Sequence, residues 1–436
     1  MARMRLPLVA VVLTCLCLPA ANAQSDKDWV GTWAASNMPL VPAPAEKQLP
    51  IGNRDVTLRQ IVHISQGGKR LRITFTNEFG TTPLHIAAVH VAFLSAGSKI
   101  LPATDHAVTF HGQPGVTIAP GQFLASDAVT ETVPIYSDLV ISAGIPAQDL
   151  PRITYHGLAM TTTFIAPDDQ TTVEQFNAPG AVPPEIARPN ATTPTKANAV
   201  GAGPDLLAQT TQWYFLKNVE VNKTHKSAAV VTLGDSITDG ARSTPETNRR
   251  YPDVLAPLLG SNKKTKALSV LNAGISGNRI LHEGTGPSAL DRFDRDVATQ
   301  PGARYVILLE GINDLGHIVA PPLLPVTAAE IIEGMKTLAQ RSHAKGLVIF
   351  AATLPPCGGS KYYQPETEAI RQQVNSFILT GGAFDGVIDF DKAIRDPQHL
   401  EQMLPKYDSG DHLHPGDDGY AAMAAAVDLK LFRKKR

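Results

Sequence analysis

The hydrophobic pattern of this chain changes period near residue 225, and a change of period implies a change of fold class. From about Trp29 to Val221, apolar and polar residues alternate in short runs. Leu71, Ile73 and Phe75 interleave with Arg70, Arg72 and Thr74; Val89, Val91 and Phe93 interleave with His90 and Ala92. Successive side chains of a strand point to opposite faces, so this alternation predicts half-buried antiparallel strands. Further strands are expected at 108–110, 116–118, 138–142, 153–164 and 213–219. Turn formers such as Gln66-Gly67-Gly68 and Ala119-Pro120-Gly121 separate several of them. No stretch of this half carries a convincing helical period, and an all-β, jelly-roll-like sandwich is the economical reading. Between 167 and 206 the pattern dissolves into Pro, Gly, Ala, Thr and Asn, which predicts a long surface loop before the last sandwich strand.

Beyond Lys226 the runs at 229–233, 268–271, 305–309, 347–352 and 387–390 are nearly continuously apolar. Strands buried on both faces have this composition, as in a parallel sheet covered by helices. Helical patterns lie between them. In 328–343, Ile331, Ile332, Met335, Leu338 and Ala339 share a face and Gly346 supplies the stop; 366–379 begins after Pro365, and 417–432 follows. Strand–helix alternation predicts a three-layer α/β domain with a parallel sheet. A chain of 436 residues exceeds what one core usually holds. The expected division is a β-sandwich at 24–225 and an α/β domain at 226–436, ending in a solvated basic tail at 433–436.

Residues 1–23 read as a signal peptide. Arg3 and Arg5 precede an apolar run at 6–18, and Pro19-Ala20-Ala21-Asn22-Ala23 offers a small-x-small cleavage site. The run is too short to span about 30 Å of hydrocarbon, and no later segment is apolar enough to span. Export to the periplasm or beyond is therefore expected, with cleavage after about Ala23. Cys15 and Cys17 leave with the signal, so Cys357 stands alone and no internal disulfide is expected. Its setting, Leu354-Pro355-Pro356-Cys357-Gly358-Gly359, reads as a turn. Lys and Arg number 39 against 40 Asp and Glu, which removes the electrostatic case for nucleic-acid binding. No pattern specifies an oligomeric state.

Open parallel sheets bind ligands beyond the carboxyl ends of their strands. The first run ends in Gly234-Asp235-Ser236-Ile237-Thr238-Asp239-Gly240, a tight turn that exposes a serine hydroxyl and could aim its N–H at an oxyanion. A plain helix cap would look the same taken alone. The second run ends in Asn272-Ala273-Gly274-Ile275-Ser276-Gly277-Asn278-Arg279, whose glycines admit close backbone approach. Glu310-Gly311-Ile312-Asn313-Asp314 closes the third and places a carboxamide there. Near the end, Asp408-Ser409-Gly410-Asp411-His412-Leu413-His414-Pro415 sets an Asp and a His three residues apart, able to meet in one turn.

These four blocks, in this order over about 228–432, resemble the SGNH, or GDSL-type, hydrolase family. The resemblance implies a flavodoxin-like three-layer domain and acyl-ester hydrolysis. By position it makes Ser236 the nucleophile, His414 the general base and Asp411 the acid that holds His414. It forms the oxyanion hole from the N–H groups of Ser236 and Gly277 and the amide of Asn313. Ile237 stands where the signature has Leu. An α/β-hydrolase would instead show G-x-S-x-G and a distant acid. More loosely, Trp29-Val30-Gly31-Thr32-Trp33-Ala34-Ala35-Ser36, Arg59-Gln60 and Thr76-Asn77-Glu78-Phe79-Gly80 resemble the amino-terminal β region of a bacterial exported subgroup related to acetyl-xylan and other carbohydrate esterases and to arylesterases.

Around these blocks, Asn278, Arg279, His282 and His317 lie on loops at the specificity edge; Asn278, Arg279 and His317 are the candidate substrate contacts. Asp235 is expected to brace its turn, His412 to be a partly exposed turn residue, and Trp29, Trp33 and Trp213 to pack in the core. Asp389 and Asp391 rank below Asp411 as acids. Asp411, His412, His414, Asp417 and Asp418 match no metal-ligand template, so neither metal nor cofactor is expected. The expected activity is hydrolysis of short acyl, chiefly acetyl, esters on carbohydrate, the partner being a small ester or an acetylated polysaccharide. A lipid-directed, lysophospholipase-like or broad aryl-ester hydrolase is the alternative within the class. A carbohydrate-binding protein with a vestigial hydrolase fold is the alternative outside it.

Overall fold

A computed structural model describes residues 28–41, 49–177, 204–224, 226–316 and 326–433. The expected signal peptide, the centre of the 167–206 loop, His317 and the last three residues of the basic tail lie outside the described residues.

Up to Asn222 the named strands all pair antiparallel. Trp29–Ala34, Leu216–Asn222, Leu71–Thr76 and Phe123–Ala125 form one sheet in that order. A larger sheet runs Ala208–Thr210, Thr163–Pro167, Val56–His63, Asp138–Ile145, Ala88–Ala96 and Lys99–Ile100, with His106–Val108 also paired to Ala88–Ala96. Two expected strands divide. The 153–164 run becomes Ile153–His156 and Thr163–Pro167 in different sheets, with Met160 at φ 56° between them. Phe215, at φ 59°, breaks 213–219 into Trp213–Tyr214 and Leu216–Asn222, letting one stretch serve two sheets. Apolar residues run through both breaks, as Leu158-Ala159-Met160 and Trp213-Tyr214-Phe215-Leu216, so hydrophobicity alone does not register them.

From Ala228 the pairing becomes parallel. Five strands lie in the order Leu268–Gly274, Ala228–Gly234, Ala303–Leu309, Val348–Ala352, Gly386–Ile388. Helices Ala328–Ala344 and Pro365–Thr380 fall where the periodicity puts them; Thr327 and Glu330 close a capping box on the first. Helix Tyr251–Ser261, carrying Pro252 and Pro257, was hidden from the helical period by its prolines. Asp417–Ala425 is shorter than the expected 417–432. Phe390 opens a helix rather than ending a strand, because Asp389 caps it by accepting from Lys392 N–H.

One apolar core runs through both halves, from Val30 and Trp33 to Tyr420 and Phe432. Strand Leu268–Gly274 is the edge of the parallel sheet, and an exposed edge invites unwanted pairing. Here the β-rich half covers it. Ser65 Oγ accepts from Val270 N–H and donates to Val270 C=O, both at 2.9 Å, and Gly31 N–H donates to Pro301 C=O at 2.8 Å. Trp29, Trp33 and Trp213 are all buried. Among the described residues no helix is long and apolar enough to cross a membrane.

Candidate active site

Gly234 pairs with Gly274 on one side and Leu309 on the other, so the turns that follow these three strands lie side by side. Gly234 itself is required: a Cβ there would stand 2.4 Å from Leu309 C=O. Asp235 then caps the short helix Ser236–Asp239, its Oδ1 accepting from Ile237 N–H at 2.9 Å. Gly240, at φ 100°, ends the helix at once. Ser236 is left 6% exposed at its first position.

Ser236 Oγ lies 2.8 Å from His414 Nε2, and His414 Nδ1 lies 2.8 Å from Asp411 Oδ2. The other oxygen of Asp411 accepts the backbone N–H groups of Leu413 and His414 at 3.0 and 2.8 Å. Burial alone would raise the Asp411 carboxyl, but the hydrogen bonds from His414 and Leu413 outweigh it and hold the carboxyl far below the usual range. The ionised acid accepts from Nδ1–H, which leaves Nε2 free to accept from the serine hydroxyl. Such a row can take a proton from Ser236 as its oxygen attacks an electrophile.

The neighbouring turns carry Gly277 and Asn313. Gly277 sits at φ 81°, where a Cβ would also meet Thr285 Oγ1 at 2.7 Å. Asn313 Nδ2 donates to Asn278 C=O at 2.9 Å, while Tyr362 O–H donates to Asn313 Oδ1 at 3.1 Å. Those two bonds fix which way the amide faces and leave Asn313 its second N–H. Asn278 is buried, and its carboxamide is engaged inside the protein: Nδ2 donates to Thr285 and Pro287 carbonyls, and Oδ1 accepts from Arg292. Arg279 is 7% exposed and donates to Glu283 C=O.

Several contributors had no signal in the sequence. Arg292, fully buried, donates to the carbonyls of Gly234 and Ala273, to Asn278, and toward Glu310 and Asp296. It thereby ties together the ends of adjacent strands. Nothing local distinguishes it from a solvated arginine on a helix. Asp239, inside the Ser236 turn and 2% exposed, is another: its burial is not visible in the sequence. Burial foremost, and repulsion among Asp235, Glu310 and Asp314 next, push the Asp235 and Glu310 carboxyls up despite Arg292. Arg242 Nε donates to Asp411 Oδ2 at 2.9 Å from a half-exposed position.

The competing residues are otherwise occupied. Asp391 accepts from Arg371 and Arg395, both at 2.6 Å, and Asp389 caps its helix. His412 is exposed, at φ 60°, with Nδ1 2.5 Å from Asp408. Cys357 is buried, and burial pushes its thiol up to about 11. Among the described residues no three of His, Cys, Asp and Glu gather as metal ligands. A cavity of about 480 Å³ lies against Leu40, Ile51, Gln148 and Tyr214 in the β-rich half, and no residue of the Ser236 site lines it.

Residues 232–422 match the family described as GDSL-like Lipase/Acylhydrolase family. No curated protein matches the chain. Similar solved structures include a lipolytic protein of the G-D-S-L family from Desulfitobacterium hafniense DCB-2, at 23% identity, covering 46% of this chain and 97% of that one with a TM-score of 0.35. An acetylxylan esterase from Geobacillus stearothermophilus is 21% identical, covering 47% and 94%, with a TM-score of 0.36. An acylhydrolase from Bacteroides fragilis NCTC 9343 is 16% identical, covering 48% and 89%, with a TM-score of 0.35.

Proposed function

We propose that this chain, whose residues 232–422 match the GDSL-like lipase/acylhydrolase family, is a carboxylic ester hydrolase: an exported serine esterase removing short acyl groups, chiefly acetyl, from carbohydrate. The observation that carries the reading is the unbroken row Ser236 Oγ, His414 Nε2, His414 Nδ1, Asp411 Oδ2, with 2.8 Å at each contact.

In this mechanism Ser236 Oγ attacks the acyl carbon as its proton passes to His414 Nε2, and Asp411 stabilises the imidazolium. The N–H groups of Ser236 and Gly277 and the amide of Asn313 hold the oxyanion. His414 then protonates the departing alcohol, leaving an acyl-Ser236. Water, deprotonated by His414, attacks that ester in turn, and the carboxylic acid leaves as Ser236 regains its proton. Asn278 and Arg279 edge the site chiefly as its scaffold.

The finer architecture belongs to the same proposal. Strand order 2-1-3-4-5 in the parallel sheet supports a flavodoxin-like three-layer domain at 226–436. The antiparallel sheets before Asn222 support a jelly-roll-like sandwich at 24–225. The basic, apolar and small-residue order of 1–23 supports cleavage after about Ala23 and export. Short acyl groups are favoured because Ser236 is only 6% exposed, and the 480 Å³ cavity is lined by other residues.

Purified protein with p-nitrophenyl acetate, wild type beside Ser236→Ala, tests the chemistry. An active wild type and an inactive variant are expected; equal rates would sink the mechanism, and no activity in either would favour a binding protein. Release of acetate from acetylated xylan, set beside turnover of long-chain esters, tests the substrate. Preference for long chains would overturn it.

A further inference from the structure

A buried polar circuit joins the β-rich half to two of the three turns at the site. His156, at the end of strand Ile153–His156, presents Nδ1 to Ser36 C=O at 2.8 Å. Its Nε2 lies 3.0 Å from Asp239 Oδ1 and 3.2 Å from Leu158 C=O. The second oxygen of Asp239 accepts from Ser276 N–H at 2.9 Å and from Ser276 O–H at 2.7 Å. Ser276 directly precedes Gly277. A return arm closes the circuit: Arg292 donates to Ser36 Oγ at 3.2 Å and to Asn278 Oδ1 at 2.8 Å. His156 and Asp239 are 3% and 2% exposed, so water does not substitute for these partners.

Both ring nitrogens of His156 face acceptors only, two carbonyls and a carboxylate. A neutral imidazole carries one N–H and would leave one of these contacts without a proton. The geometry therefore calls for an imidazolium. Its aromatic neighbour, the Trp213 ring 5.5 Å away, is uncharged, and the nearby Arg250 is already paired with Asp253.

We propose that His156, contributed by the β-rich half, is a positioning residue for the hydrolase site, holding the Asp239 carboxylate and through it the Ser276–Gly277 turn where the oxyanion must be met. The proposal rests on the reading of Ser236 and Gly277 above. It gives the β-rich half a part in turnover beyond covering a sheet edge. A donor moved by a fraction of an ångström fails the tetrahedral oxyanion more than the planar ester, so the loss falls on kcat.

His156→Leu keeps the volume and removes both donors; His156→Gln keeps a donor able to reach Asp239. With p-nitrophenyl acetate, His156→Leu should lose about 10- to 100-fold in kcat with KM held within about 2-fold, and His156→Gln should recover part of that loss. Folding of each variant is checked by circular dichroism. A folded His156→Leu with kcat within about 2-fold of wild type would overturn the proposal, as would a loss confined to KM. If His156→Leu does not fold, Ser276→Ala decides, since it removes one bond to Asp239 at a half-buried turn. It should lower kcat about 3- to 10-fold at constant KM, and an unchanged kcat overturns the proposal. Ser236→Ala, run in parallel, separates the failures: if it stays active, the reading of the site is wrong, whatever His156 does.

Discussion

Arg242 and His414 donate to the same oxygen, Oδ2 of Asp411, at 2.9 and 2.8 Å. The two bonds are unequal in consequence. His414 is mostly covered, whereas Arg242 is 42% exposed and its attraction is screened by water.

Replacing Asp411 by Asn should therefore cost about 10⁴-fold in kcat, because an amide facing Nδ1 favours the wrong tautomer of His414. Arg242→Ala removes a surface ion pair worth about 0.2–1 kcal/mol, and kcat should stay within about 5-fold of wild type. Steady-state kinetics on one ester measures both. Comparable losses would mean that Arg242 acts on the reaction directly.

On the proposed mechanism, Asn313→Ala removes one of the three oxyanion donors. The expected cost is about 2.7–4 kcal/mol of transition-state stabilisation, seen in kcat with little change in KM. Tyr362→Phe removes only the hydroxyl that orients Asn313, so about 1 kcal/mol is expected. If Asn313→Ala is no worse than Tyr362→Phe, the amide is not an oxyanion donor.

The parts of this protein that could be read from its sequence are those whose cause is local. Runs buried on both faces announced the five parallel strands. Gly234 and Gly240 announced the tight turn around Ser236, because both positions tolerate little else. Asp411 and His414 meet because three residues separate them. By contrast, Arg292 acquires its role only when Gly234, Ala273, Asn278 and Glu310 converge from distant positions. His156 is similar: its partner Asp239 is 83 residues away, and the spacing carries no periodic signal. The breaks at Met160 and Phe215 were hidden because both fall inside apolar runs, and a positive φ leaves no mark on hydrophobicity.

Arg292→Met would keep much of the buried volume but abandon two strand-end carbonyls and the Glu310 and Asp296 carboxyls. Removing one partner from a buried charged cluster typically costs about 3–5 kcal/mol. Arg292→Lys should rescue little, since an ammonium cannot reproduce the planar fork that meets Gly234, Ala273 and Asn278 together. Urea unfolding monitored by fluorescence measures the loss. A Met variant within about 1 kcal/mol of wild type would show that Arg292 does not hold the cluster together.

Stability should fall as the solution turns alkaline. Burial, then repulsion from Asp235, raises the Glu310 carboxyl; burial raises Asp235 as well; and in His156 burial lowers the value, but the attraction of Asp239 and the hydrogen bonds to Asp239, Ser36 and Leu158 together outweigh it, so its value rises too. All three bind a proton more tightly folded than unfolded. Their contribution is complete below the unfolded values and disappears as pH climbs through the folded ones. Asp411 and Asp296 are shifted the other way, Asp296 to about 2, so their contribution fades only in acid, below the ordinary carboxylate range. Tm should consequently be higher near about pH 5.5 than near about pH 8.5. Glu310→Gln places a neutral amide where a proton is otherwise taken up, and should flatten that alkaline slope without lowering Tm at high pH. A wild type that gains stability between those two pH values, or a Gln variant with an undiminished slope, would refute the assignment of the proton to this buried group.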